Sequence, residues 1–389
     1  MKRIAAVAVA VSVLACAGCA RKLVVGVVLP ETGDNAAYGA PIKSGVKLAF
    51  DEARDNHTLP EGLQVIYRDS GSDVTRAVSE LEALYDQGAL LVIGGATTQE
   101  ARAMIPVADQ RERVLLSPSA SAPDLARRSL FFFRVYPSDD LEGVKAADLL
   151  YQPPRNVRRV LILQEDNAYT RGLLPVFMGA FKSHGGEIVD SVAIGEEGWE
   201  QRTRALLEGR KPDGVYVCGY GDAIIAALKV LRAVEYAGVI GTTSAINTMT
   251  FLQRAGRLAE GVFFPLASFD TASEKEPIKT FVKRYYEVYK LMPDIYAAHG
   301  YDAALAAMGA LKGLRTRSGS EVALRLKGLA ETIGVTGPLA FDDYGNIKHY
   351  LRTHWIREGK VEDYERYLER EKERIRAEFE RALMRGRTP

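Results

Sequence analysis

The sequence predicts an α/β protein built as two doubly wound parallel-sheet lobes. Three observations carry this: short apolar β-type runs alternate with longer helical periods, the alternation occurs twice, and no flexible linker separates the two rounds. Near-continuous apolar strands between helices belong to parallel sheets covered on both faces. The first round of strands is Leu23–Leu29, Gln64–Tyr67, Leu90–Ile93, Val114–Leu116 and Phe131–Val135. Its helical periods are Ile42–Arg54, Thr75–Gln87 and Gln99–Gln110. A break falls at Tyr136-Pro137-Ser138-Asp139-Asp140. The second round has strands Val160–Leu163, Ile188–Val192, Gly214–Cys218, Val239–Ile240 and Val262–Leu266. Helices Leu141–Leu150, Leu173–His184, Thr203–Leu207 and Ala223–Tyr236 lie among them. Pro277–Met292 and Ala297–Leu314 follow as helices, then a hairpin-like stretch, Gly337–Ile347, with Asp-Tyr-Gly-Asn as turn residues. Ligands of open α/β sheets sit beyond the carboxyl ends of the strands, so a cleft between two such lobes is the place for function.

Composition narrows the classes. The 389 residues carry 51 Lys+Arg against 50 Asp+Glu, a net charge of +1, which removes the bulk electrostatic case for nucleic acid. A content of 47% hydrophobic and 26% charged residues is that of a globular chain and not of a disordered or polytopic membrane one. The chain opens with Met1-Lys2-Arg3 and an apolar run from Ile4 to Leu14, too short to span a bilayer and suited to a secretory signal. Leu14-Ala15-Cys16-Ala17-Gly18-Cys19 then resembles a bacterial lipoprotein signal, with Cys16 the favoured lipidated residue and Cys19 the alternative; a plain cleaved signal is the competing reading. Both place the body outside the cytoplasmic membrane. Cys218 is then the only thiol of the body, which leaves no internal disulfide, and a lone Cys on an apolar strand reads as core filler.

No competing chemistry is visible. The sequence has no Gly-x-x-x-x-Gly-Lys loop, no complete Gly-x-Gly-x-x-Gly and no Gly-x-Ser-x-Gly elbow. Gly219-Tyr220-Gly221 lacks the third glycine, and the five His are scattered without metal-ligand spacing. The expectation is a non-enzyme with no cofactor and no metal.

A family resemblance sharpens this. Val25-Gly26-Val27-Val28-Leu29-Pro30 with Thr32-Gly33 and Tyr38-Gly39 comes first, then Gly45–Ala49, Gly94–Thr98 and Ser117–Pro123. Asn167-Ala168-Tyr169 with Gly172, Gly219-Tyr220, Tyr301-Asp302-Ala303 and Thr336–Asp342 complete the set. In this order and spacing the chain from Lys22 to Ile356 resembles the type I periplasmic binding proteins of the branched-chain amino acid and amide uptake systems. The resemblance implies two lobes joined by a three-crossover hinge, closing over a small-molecule ligand (an amino acid, amide or small carboxylate) for delivery to the permease of an ABC transporter. It divides the chain into a leader and anchor region 1–20, a first lobe 22–137 plus 270–334 and a second lobe 138–269 plus 335–356. The remaining 357–389 read as a charged amphipathic helix, either packed on the second lobe or free for a partner. A ligand sensor of the same fold is the alternative function.

The site residues follow by resemblance. Thr98, Ser119 and Ser121 match carboxylate-binding positions; otherwise Thr98 is an ordinary helix N-cap and the serines a turn. Tyr38, Tyr169 and Tyr220 match aromatic positions at the ligand's other end, where rings give apolar walls with a hydrogen-bonding tip. One departure stands out. The register of the family's ammonium-binding acid falls on Thr242-Thr243-Ser244, so Thr243 occupies that position without a charge. Asp222 is the nearest acid that could substitute.

Overall fold

The computed structural model describes residues 22–385 apart from 127, 128, 268 and 330. Cys16 and Cys19, the lipidation candidates, therefore lie outside the described residues. Two sheets organise the rest. The first is five-stranded and wholly parallel: β1 (Leu23–Leu29), β2 (Leu63–Asp69), β3 (Ala89–Gly94), β4 (Val114–Ser117) and β5 (Phe132–Arg134), in the order β2-β1-β3-β4-β5. All seven residues of β1 are buried, as a central parallel strand with helices on both faces requires. Helices α1 (Ala36–Asp55), α2 (Val74–Asp86) and α3 (Thr98–Arg111) connect these strands.

The second sheet is seven-stranded. Its parallel part comprises β6 (Arg159–Gln164), β7 (Glu187–Ala193), β8 (Gly214–Cys218), β9 (Val239–Thr242) and β10 (Phe263–Ala267). Helices α4 (Asp139–Tyr151), α5 (Ala168–Ser183), α6 (Trp199–Arg210), α7 (Gly221–Ala233) and the short α8 (Met249–Ala255) lie around it. The chain then returns to the first sheet as α9 (Ile278–Tyr289), α10 (Ile295–Leu311) and α11 (Gly319–Lys327). It ends in an antiparallel pair, β11 (Leu351–Arg357) and β12 (Lys360–Asp363), on the far side of β10, and in α12 (Tyr364–Arg385). The backbone thus passes between the sheets after β5, after β10 and before β11.

The C-terminal portion departs from the sequence expectation. Residues 335–356 were expected in the second lobe as one piece. Instead the Gly337–Ile347 stretch covers the free edge of β5: Arg134 N donates to Gly345 O at 2.9 Å and Ile347 N donates to Arg134 O at 3.1 Å. An uncovered edge strand would leave those groups unpaired. The chain joins the second sheet only at β11 and stays through β12, beyond residue 356. Helix α12 consequently starts at Tyr364. Its first turns pack Tyr364 and Tyr367 on Trp355, with ring centroids 5.1 and 4.9 Å away, while Ile375 and Phe379 further along are exposed.

Apolar packing is continuous across both lobes, from Val25 and Val27 through Tyr38 and Tyr296 to Leu161 and Val215. Cys218 is buried in β8, in the packed layer with Tyr216 and Phe177. No helix among the described residues is long and apolar enough to cross a membrane.

Candidate functional site

Strand carboxyl ends and helix amino ends meet in a cleft between the two sheets, with about 360 Å³ of empty space including its open mouth. Helix N-termini carry unpaired N–H groups and a partial positive charge, which favours an anion there. The first-lobe wall is built at the start of α3. Gly95, after β3, adopts φ +66°, and a Cβ on it would stand 2.9 Å from Ala101 Cα, so only glycine lets the strand turn this tightly into the helix. Thr97 caps α3: its hydroxyl accepts from Glu100 N at 3.2 Å, and Glu100 reaches back to Thr97 N. Thr98 is therefore not the cap. It is the first helical residue, 2% exposed, and its hydroxyl makes no hydrogen bond among the described residues, so it is available to a ligand.

The opposing serine turn is held from behind. Ser117 Oγ donates to Gly95 O at 2.8 Å and accepts from Ala120 N at 2.9 Å. Ser119 Oγ donates to Ala96 O at 2.6 Å, which consumes its proton in bracing the two loops. Ser121 lines the cleft, and its carbonyl accepts from Asp139 N at 2.8 Å. Thr98 thus brings the unspent hydroxyl, Ser121 lies on the wall with its hydroxyl beside Asp139, and Ser119 is a strut.

Tyrosine rings form the remainder. Tyr136, Tyr296, Tyr38, Tyr220 and Tyr169 run as a chain of neighbours, with centroids 6.1, 5.1, 5.4 and 5.3 Å apart in that order. Tyr38 and Tyr296 stand in the first turns of α1 and α10, Tyr169 and Tyr220 at the starts of α5 and α7, and Tyr136 in the first crossover. The hydroxyls stitch the lobes together. Tyr38 accepts from Gly221 N at 3.2 Å and donates to Ala245 O at 3.4 Å; Tyr136 donates to Ser244 Oγ at 2.8 Å. Burial pushes the Tyr38 and Tyr136 phenols well up, so they remain neutral donors at physiological pH.

Of the residues expected at the site, Tyr38, Thr98, Ser119, Ser121, Tyr169 and Tyr220 all line this one cleft. Thr243 does not. It is fully buried, and its hydroxyl donates to Gly219 O at 3.2 Å; its neighbour Ser244 faces the cavity instead. Asp222 lies at the surface, paired with Arg254. Sequence reasoning missed Tyr136, Tyr296 and Ser244. It also missed two carboxylates under the floor, Asp139 and Glu142, at 0% and 2% exposure. The only local signal was Ser138 capping a helix that opens with three acids, which ordinarily complement a helix dipole. No lysine, arginine or histidine lines the cleft among the described residues. Nor does any cluster of three or more His, Cys, Asp or Glu among them suit a metal ion.

A family model described as periplasmic binding protein matches residues 22–355. The chain belongs to the periplasmic binding protein family. Among relatives of this periplasmic binding protein is the Leu/Ile/Val-binding protein BraC3 of Rhizobium johnstonii. The two are 30% identical over 261 residues, 64% of this chain and 69% of that one. The leucine binding protein LivK of Thermotoga maritima shares the fold, with a TM-score of 0.80 at 22% identity over 87% of this chain and 97% of that one. So does LivJ of Streptococcus pneumoniae, solved with isoleucine, with a TM-score of 0.79 at 24% identity over 88% and 98%. At the level of its family this is an extracytoplasmic solute-binding protein and not an enzyme.

Proposed function

We propose that this periplasmic binding protein captures a small amino-acid-like, carboxylate or amide solute in the interlobe cleft and delivers it to an ABC importer. The observation that carries the reading is the make-up of the cleft lining: the unspent Thr98 hydroxyl at the N-terminal end of α3, and a chain of tyrosine rings. The first suits a carboxylate or carbonyl oxygen without a full countercharge. The second suits a compact apolar body with polar edges. The relatives named above include a Leu/Ile/Val-binding protein and one solved with isoleucine, ligands that combine a carboxylate with a compact apolar body.

A thermal-shift screen of amino acids, amides and small carboxylates tests this, since a ligand that binds only the folded state raises its melting temperature. Thr98→Ala is expected to weaken the best hit about tenfold, the loss of one hydrogen bond to a charged group. An unchanged affinity would remove the carboxylate end from the site. The body is further proposed to be tethered through lipid on Cys16, with Cys19 as the alternative. Detergent phase partition of the protein made in a bacterial host should place it in the detergent phase, and Cys16→Ser should move it to the aqueous phase. Recovery of the unaltered protein in the aqueous phase would sink the anchor.

A further inference from the structure

We propose that Glu142 is the counter-ion for a cationic group on the ligand, acting through Ser244, and that the solute is accordingly a zwitterionic α-amino acid and not a simple carboxylate or amide. The inference rests on the reading of the cleft as the ligand site and narrows it. Glu142 accepts from Ser244 N at 2.8 Å, from Ser244 Oγ at 2.6 Å and from Tyr169 OH at 3.4 Å. All of these donors are neutral, and Glu142 makes no ion pair among the described residues. Asp139, one helical turn earlier, is buried beside it: neither of its oxygens has a hydrogen-bond partner of good geometry among the described residues, although the Ser121 hydroxyl and Arg134 lie near enough to pull its pKa down. Arg134 is not the counter-ion of Glu142. Its field acts first on Asp139 and then on Asp140, Asp342 and Asp124, and its Nε and Nη1 donate to Asn346 Oδ1 and Ala122 O, both at 2.8 Å.

A carboxylate taken out of water without a cation is strongly disfavoured even when neutral donors surround it. Burial raises both carboxyls and repulsion from Glu142 raises Asp139 further, while the Ser244 and Tyr169 donors pull Glu142 down, so Glu142 is the member of the pair built to carry the charge. The missing cation has a place to stand. Ser244 and Tyr169, which cover Glu142, both line the cleft, so the carboxylate lies one hydroxyl behind its wall. Ser244 Oγ gives its proton to Glu142 and can offer the cavity only lone pairs; Tyr136 takes one of the two, and one remains. A ligand N–H donating there completes a chain from ammonium to hydroxyl to carboxylate. The tyrosine faces around it attract the same charge. With the Thr98 hydroxyl and the N-terminus of α3 on the same cleft, the carboxylate of a zwitterion has a place as well as its ammonium. Glu142 thus takes over from α4 the charge that the sequence lacks after β9, as a positioning residue that need not touch the ligand.

The test compares each amino acid with its deaminated partner by titration calorimetry: L-leucine with 4-methylpentanoate, and L-phenylalanine with 3-phenylpropanoate. In the unaltered protein at least one amino acid should bind about tenfold or more tighter than its partner acid. Glu142→Gln should bring that ratio close to one by weakening the amino acid without weakening the acid, and Ser244→Ala should reduce the ratio part of the way. A purely structural role for Glu142 would lower both affinities together and leave the ratio unchanged, which overturns the proposal. Acids that bind the unaltered protein as tightly as the amino acids overturn it as well, even if Glu142→Gln does not fold, while leaving the solute-binding reading intact. Failure of all four probes, with an amide bound instead, would likewise defeat the zwitterion alone; failure of every solute class would defeat the cleft itself.

Discussion

Gly45→Ala is expected to destabilise the protein by about 3 kcal/mol or more, among the larger costs a single methyl group can impose. Gly45 lies in α1 where that helix crosses α10. A Cβ there would stand 1.9 Å from Ala297 O and 2.8 Å from Tyr301 N, both backbone atoms of the facing helix. The approach is reciprocal, since a Cβ on Gly300 of α10 would stand 2.2 Å from Ile42 O. No flexible side chain can move aside, so the helices must separate. Separation would also part Tyr38 from Tyr296, whose rings are 5.1 Å apart in the cleft wall, so ligand affinity should fall with stability. Gly179→Ala is the control: in α5, with nothing within 4 Å of its Cβ, it should be neutral or stabilise by up to about 1 kcal/mol through helix propensity. Urea denaturation of both variants decides the matter. Equal midpoints would mean that α1 and α10 are not locked at these glycines.

The second large effect is expected at Asp302. This fully buried carboxylate of α10 accepts from Val335 N at 2.7 Å, Thr336 N at 2.8 Å and Thr336 Oγ1 at 2.5 Å, tying down the stretch that leads from α11 to the β5 edge. Asp302→Ala would strand two buried N–H groups and a hydroxyl, at a cost of about 3 kcal/mol or more. The pH dependence has a definite sign. Burial pushes the carboxyl up from 3.8 to about 6, against the pull of its three donors. The folded chain therefore holds a proton that the unfolded chain releases. The contribution of Asp302 is most favourable below its unfolded pKa and declines by about 3 kcal/mol as pH rises to its folded pKa. Asp302→Asn cannot titrate, so the stability of the unaltered protein relative to it should decline over that window. A flat difference would show that Asp302 ionises as an exposed carboxylate does.

What could be learned from the sequence differs from element to element. The apolar strands β1, β3, β6 and β8 announce themselves because residues buried on both faces cannot be polar. Helix starts were harder. α5 begins at Ala168, five residues before its apolar period, because an Asn167–Thr170 capping box sets the start and not the period. β11 and β12 were missed altogether: Leu351–Arg357 carries charges on an outer pair, so it lacks a buried strand's continuous apolar run. Thr98 was ambiguous for a related reason, since Thr97 and Thr98 both suit a cap and only the hydrogen bonds show which one performs it.

The sequence by itself therefore determined the two-lobe α/β class and the family, and it pointed to six residues that line one cleft, because each is tied to a strand end or a helix start that is locally encoded. Tertiary structure alone decided the rest. Ser244 replaces Thr243 because the short 3₁₀ turn at Ser244–Ile246 directs one side chain inward and the other to Gly219. Tyr136 and Tyr296 join Tyr38 only when the first crossover meets α10. Glu142 reaches Ser244 across 102 residues, and Gly345 reaches Arg134 across more than two hundred. Such pairings are fixed by where the lobes close on each other, and the free energy of that closure belongs to the whole cleft, not to any segment of the chain.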